Sequence, residues 1–359
     1  MIVTGTVLFL LGFEFGGIQH PWNSAIVVCF IVFGVLLLSC FFIVEWKFAA
    51  LPIMPLRLFK NRTAVCCYII TFFHGFAFIG GCYFLPLFFQ SARGYSPLLS
   101  GVFILPFVIP LSMSSGGAGI IIAKTGRYQE LIWGGLFLMT IGFGLFIDLN
   151  RSSNWGKLVV YQFVAGIGAG PLFQAPLIAV HSTLEPKDIA TGTSTFAFVR
   201  TLGTALGISL GLVVFQNGMQ SQLGELASQH LDPVVVSALT GESASASIEF
   251  VKTLGGPVRK IAQDTYAAGM KEMWYFFLAT CVCGFVASIG VKKHHLSTEL
   301  NSSQPMKRKK KPKKDEEEAA AAAAEAAEAV ATEEIDEKEN VQIESDEKED
   351  PEKDAGNLA

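Results

Sequence analysis

The 359-residue sequence predicts an all-α polytopic membrane protein, and three observations carry that prediction. First, four stretches contain no Asp, Glu, Lys or Arg. Thr63 to Ala92 and Gly94 to Ala123 run for 30 residues each, Leu158 to Leu184 for 27, and Met273 to Val291 for 19. About 20 apolar residues suffice to cross a bilayer core, whereas a soluble helix is interrupted by charge every turn or two. Second, charge is segregated. Up to residue 292 there are 16 Lys/Arg and 12 Asp/Glu, a net of +4; beyond it there are 11 and 19, a net of −8. Third, a lone arginine, Arg200, lies among apolar and small residues within a further apolar stretch, where a charge costs roughly 2.5–3.5 kcal/mol on insertion scales. Such a charge belongs to a bundle interior or a hydrated pathway.

In chain order, residues 1–17 make a first span that starts abruptly, without a cleavable signal peptide, as in a chain entered part-way. Gly16 to Asn23 is a tight turn with an interfacial Trp22, and 24–45 is the second span. The segment 46–63 is a basic connector carrying Lys47, Arg57, Lys60 and Arg62. Six further spans are expected at 64–90, 98–122, 131–148, 156–181, 191–216 and 272–292, together forming a unit over 64–292. Within it, 217–271 is a polar loop with weakly amphipathic pieces, among them Ile248, Val251 and Leu254. After His295 the chain turns polybasic at Lys307 to Lys314, then acidic and alanine-rich. With no apolar face to bury, 293–359 is expected to be disordered.

Eight spans place both ends on one side. The basic connector, Lys124, Arg127, Lys187, Lys292 and Lys293 would share the cytoplasmic face, while Arg93, Arg151 and Lys157 lie outside. Both termini are then cytoplasmic, 217–271 is extracellular, and Asn150-Arg151-Ser152 is an outward sequon. The seven cysteines (Cys29, Cys40, Cys66, Cys67, Cys82, Cys281 and Cys283) fall within apolar spans as small hydrophobes, without metal spacing.

The polar and breaking residues in the spans point to transport. Gly166, Gly168, Gly170, Pro171, Gln174 and Pro176 crowd one span; Gly203, Gly207 and Gly211 recur every fourth residue in the next. Such helices bend and pack closely, whether or not they contact a ligand. Arg200 stands about 13 Å along its helix from residue 191, at about 1.5 Å per residue. It either snorkels to the interface or needs an acidic partner or water, and no carboxylate in the six later spans lies at comparable depth. Asp148 is at a helix end and Glu14 is poorly placed. A second bundle or a hydrated cavity is therefore expected to neutralise it. In the aromatic patch Phe72, Phe73, His74, Phe76, Phe78, the histidine is either a proton relay or substrate contact, or a group hydrogen-bonded to a neighbouring helix.

The runs Gln174 to His181, Pro186 to Thr191 and Phe196 to Gly207 closely resemble the C-terminal part of fungal major facilitator superfamily transporters, on the 14-spanner drug:proton antiporter branch. Gly12 to Trp22, Val44 to Lys47 and Pro55 to Phe59 look like that branch's extra helix pair and its connector. The superfamily's loop pattern G-x-L-x-D-R-x-G-R is matched here at Gly119, Gly126 and Arg127, with Lys124 a near match and Ala123 at the acidic position.

The resemblance implies a C-terminal six-helix transporter half, plus an auxiliary pair at 1–45, that rocks against an N-terminal half. The expectation is thus a truncated secondary transporter, exporting drugs or toxins in exchange for protons across the plasma membrane rather than the vacuolar one. Its partners would be a small-molecule substrate, protons, the lipid bilayer, and a missing half or dimer mate; no nucleic acid, metal or cofactor is expected. Substrate would meet Phe73, His74, Phe173, Gln174, Phe198 and Arg200. Gly119, Lys124, Gly126 and Arg127 would gate, and Gly166, Gly170, Pro171, Pro176, Gly203 and Gly207 would pack or hinge. A siderophore or metabolite transporter and a non-transporting membrane protein are the alternatives. No HExxH motif, no GxSxG placed in a span and no paired Asp motif supports an enzyme.

Overall fold

The computed structural model describes residues 2–16, 20–47, 56–222, 226, 232–239 and 248–292. These lie in a compact unit spanning Met1–Thr298. The expectations for the whole tail at 293–359, for part of the connector, 48–55, and for parts of the loop at 217–271 fall outside the described residues. Apart from an isolated bridge between Gly16 and His20, the described secondary structure is helical. α1 (Ile2–Phe15) and α2 (Ala25–Lys47) pair with each other, and α1 also touches a later helix. α3 (Arg62–Ser91) follows, then α4 (Pro97–Phe103) and α5 (Leu105–Thr125), α6 (Gln129–Phe146), α7 (Trp155–Ala169) and α8 (Ala175–His181). α9 (Ile189–Ser221), two short helices, α10 (Pro233–Leu239) and α11 (Ile248–Thr253), and α12 (Gly256–Ser288) complete the series. Among the described residues, six runs are long and apolar enough to cross a bilayer: α3, α5, α6, α7 with α8, α9 with its leading turn, and α12. The chain is an all-α polytopic membrane protein.

Local chemistry sets the helix ends. Asn61 caps α3 by accepting from the Thr63 N–H at 2.9 Å, and Ser96 caps α4 by accepting from Leu99. α5 stops at Gly126, whose φ of 66° is left-handed and whose N–H reaches the Ile122 carbonyl. Within the spans, Ser112, Thr140, Thr195 and Thr201 donate to the carbonyl one turn back, so their hydroxyls are satisfied without water.

Three spans differ from the expectation. The span at 98–122 is two helices that break at Ile104, because Pro106 has no N–H and its ring crowds the carbonyl four residues back. The span at 156–181 is interrupted by a 3-10 turn at Gly170–Phe173. The last helix begins at Gly256 rather than 272. Lys260, Asp264 and Lys271 break the hydropathy in sequence, yet they project to one side while Ala262, Tyr266, Met270 and Met273 are buried on the other. Tyr266 there stacks on Phe215 of α9 at 6.3 Å. Of the amphipathic piece near 250, Val251 is buried.

α3 runs through the middle of the bundle, against α8, α9 and α12. Its contact with α9 is nearly backbone to backbone. A methyl group added at Gly203 would land on the Phe72 carbonyl, and one at Gly207 on the Phe76 carbonyl. In the other direction, a methyl at Gly75 would sit 2.8 Å from the Arg200 carbonyl oxygen. The same device seats α7 on α5: Gly166 lies over the Phe107 carbonyl and Gly170 over Leu111 and Ser114. With no hydrophobic effect between helices in lipid, this close approach is the main source of cohesion.

The loops gather at two ends. At one, Lys292 N–H donates to Thr63 Oγ1, and Tyr128 and Gln129 donate to the carbonyls of Lys292 and Val291. At the other, Arg93 donates to the carbonyls of Arg151 and Ser153 at 2.6 and 2.7 Å and lies over the Tyr95 and Trp155 rings, while Arg151 pairs with Asp264 at 2.7 Å. Hydrogen bonds from Lys157 and Tyr161 hold the Asp148 carboxyl below the usual carboxylate range, so it stays charged in that loop.

Gly203→Ala is expected to destabilise the protein by about 1–3 kcal/mol through overpacking. Gly134→Ala, where no atom lies within 4 Å of the added methyl, should be neutral. Thermal unfolding of purified protein followed by size-exclusion elution compares the two.

Candidate functional site

The break between α7 and α8 follows from its residues. Pro171 sits at the start of the 3-10 turn and Pro176 in the first turn of α8, so neither position supplies the N–H that a continuous helix requires. The two carbonyls flanking the break, Ala169 and Phe173, both take hydrogen bonds from side chains on other helices. His74 Nε2 lies 3.1 Å from the Ala169 oxygen, and Arg200 Nη2 donates to the Phe173 oxygen at 3.2 Å. A carbonyl can only accept, so His74 carries its proton on Nε2, and its buried Nδ1 has no partner.

The Phe173 side chain ties these groups together. Its ring meets His74 edge-on at 4.8 Å and Phe78 edge-on at 5.0 Å, and the Arg200 guanidinium carbon lies 4.9 Å from its centroid. Phe196, one turn before Arg200 on α9, offers a second face at 4.9 Å. Phe78 stacks in turn on His74 and on Phe107 of α5. No ion pair to Arg200 occurs among the described residues. Two cation–π contacts of about 0.5–2 kcal/mol each at this half-buried site and a charged hydrogen bond of about 1.5–3 kcal/mol are comparable in size to the insertion penalty. The chain therefore solvates part of this charge from within, beside what a second bundle or a hydrated cavity would supply. The Arg200 Nε is buried and still unpartnered.

Of the residues expected to meet substrate, His74, Phe173 and Arg200 come together. His74 is buried, with 1% of its surface exposed, behind Phe173 and Phe78. Gln174 is exposed beside the group, on the turn that leads into α8. Phe73 is directed elsewhere: its Cβ lies against Gly284 of α12. Phe198 is half-buried on α9, two residues and over half a turn from Arg200. Phe78, Phe107 and Phe196 were not expected. Phe196 carried a signal, its spacing of four from Arg200; Phe107 carried none, since only the fold brings α5 there.

The loop residues are arranged simply. Lys124 and Arg127 are exposed on either side of the left-handed Gly126, and Gly119 faces open space. Gly166, Gly170, Gly203 and Gly207 are the close-packing positions of α7 and α9, and Pro171 and Pro176 are both buried at the break.

Replacing His74 with Phe should cost about 1–3 kcal/mol, because the buried Ala169 carbonyl loses its donor. His74→Gln, which keeps an N–H, should recover part of that loss in the same thermal unfolding measurement.

Comparison with known proteins agrees with this architecture. Residues 1–86 match the family described as fungal trichothecene efflux pump (TRI12). Over 297 residues the chain is 41% identical to the efflux pump dotC of Dothistroma septosporum, covering 83% of this chain and 51% of that one. It is 36% identical over 301 residues to the MFS-type transporter ppz2 of Metarhizium majus, covering 82% and 52%. It is 32% identical over 312 residues to the efflux pump FUS6 of Gibberella moniliformis, covering 86% and 55%. The chain spans about half the length of the curated relatives it matches. Six apolar spans among the described residues and similarity over most of its own length make this chain similar to about half of a fungal major facilitator superfamily transporter.

Proposed function

We propose that the chain forms one six-helix half, with the α1–α2 pair beside it, of a transporter that exports small amphipathic organic compounds in exchange for protons. The observation that carries this is the guanidinium of Arg200, held at a helix break by the Phe173 carbonyl and two aromatic faces. A helix broken at membrane depth, with backbone carbonyls and a charge turned to the same place, is how transporters build a site where irregular backbone is tolerated. The names of the relatives, efflux pumps among them, support the direction of transport.

In this reading substrate meets Arg200, Phe173, Phe196 and Gln174, and His74 is a positioning residue that holds the break from behind. Phe198 serves as a more distant wall. The close glycine contacts let α7 and α9 tilt with their neighbours, and Lys124, Gly126 and Arg127 engage a second six-helix bundle. That bundle is further polypeptide or a second copy of the chain. The end formed by Thr63, Tyr128 and Lys292 is cytoplasmic, because it lies next to the basic positions Lys124 and Arg127. Both termini then face the cytoplasm of a plasma-membrane protein.

The test measures export of the dye fluorescein, an amphipathic aromatic acid, from membrane vesicles with an imposed proton gradient. It is run with the chain alone, and with the chain co-expressed with the part of the Dothistroma pump that it does not match. Gradient-dependent flux is expected in at least one arm, falling about tenfold or more in Arg200→Ala at equal protein level, a loss of about 1.4 kcal/mol or more. No gradient-dependent flux in either arm would support a non-transporting membrane protein instead.

A further inference from the structure

The helix faces left uncovered by the bundle are of two kinds. α7 exposes Val159, Val160 and Phe163, and α12 exposes Tyr275, Val282, Val286 and Ile289, large apolar groups suited to lipid. α9 differs. Past its first residue, Ile189, it exposes no large apolar side chain; its open face carries Ser194, Ala197 and Thr201, spaced by three and four residues. Both hydroxyls donate to their own helix, which leaves oxygen lone pairs on the outer side. Arg200 lies at the border between this polar stripe and the buried stripe of Phe196, Gly203 and Gly207.

The charge at that border is one-signed. Arg200 spends one N–H on the Phe173 carbonyl, and its buried Nε has no acceptor. His74, the other titratable side chain in the group, donates to Ala169 and brings no negative charge. Among the described residues no carboxylate pairs with Arg200. Aromatic faces satisfy a cation electrostatically, but they cannot accept its in-plane N–H groups as a carboxylate does.

We propose that the compound bound at Arg200 is an organic anion: an amphipathic aromatic acid whose carboxylate accepts from the guanidinium while its ring lies against Phe173 or Phe196. This rests on the placement of substrate at Arg200 proposed above. A cation would meet like charge in a weakly screened site, and a neutral ligand would accept only through a weaker hydrogen bond that leaves the charge uncompensated. The site therefore orders ligands by charge before shape.

Three probes of nearly the same shape isolate the charge: naphthalene-2-carboxylate, naphthalene-2-carboxamide and naphthalen-2-ylmethanamine. Binding of each to the purified chain in lipid nanodiscs is measured calorimetrically at neutral pH. The acid is expected to bind about tenfold more tightly than the amide, and the amine most weakly. Arg200→Gln should bring acid and amide within about twofold, whereas Arg200→Lys keeps their order. Any other order in the native protein, no binding of the acid, or an unchanged preference in a folded Arg200→Gln protein overturns the proposal. The native ligand series decides the matter even if Arg200→Gln does not fold. Proton-driven dye flux without this order removes the anion assignment alone; the order without flux removes transport alone.

Discussion

A backbone carbonyl at a helix break accepts from a guanidinium that pairs with no carboxylate among the described residues, and the placement of three helices depends on that contact. In lipid, a carbonyl at a helix break and an unpaired charge are each expensive. Bringing Phe173 and Arg200 together removes part of both costs. His74 does the same for Ala169 a turn earlier. The break is thus held from two other helices, α3 and α9, and these three elements cannot be placed independently.

That contact works only if α3 and α9 approach closely enough for their side chains to reach the same turn. The glycines supply the approach. Gly203 and Gly207 admit the α3 carbonyls of Phe72 and Phe76, and Gly75 admits that of Arg200 itself. A larger residue at any of these would push the helices apart and carry the guanidinium away from Phe173. Packing and site are therefore one structure here. The smooth glycine seams are also the surfaces along which helices of a rocking bundle can shift without unlocking side chains.

The ends of the bundle are built differently. The end with Arg93, Arg151 and Asp264 is knit by charged hydrogen bonds and aromatic rings across three loops. At the opposite end hydrogen bonds gather around Thr63, Tyr128, Trp133 and Lys292, Lys187 pairs with Glu185, and Lys124 and Arg127 are exposed. The knit end suits a region that moves as a unit.

The sequence by itself determined the solvent, the all-helical class, and the residue where charge enters the membrane; it placed the start of the last helix sixteen residues late. Charge-free runs and turn residues are local signals, and the bilayer leaves a helix as the only solution for them. The i, i+4 relation of Phe196 to Arg200 was legible too. What only the tertiary structure decided is which groups answer one another. Phe107 reaches the site from α5, Phe73 turns away to Gly284, and residues 256–271 form helix because their charges fall on one side. A guanidinium can be satisfied by a carboxylate, by water, or by carbonyl and aromatic faces at similar cost. That choice depends on distances between segments far apart in the chain, which no local pattern encodes.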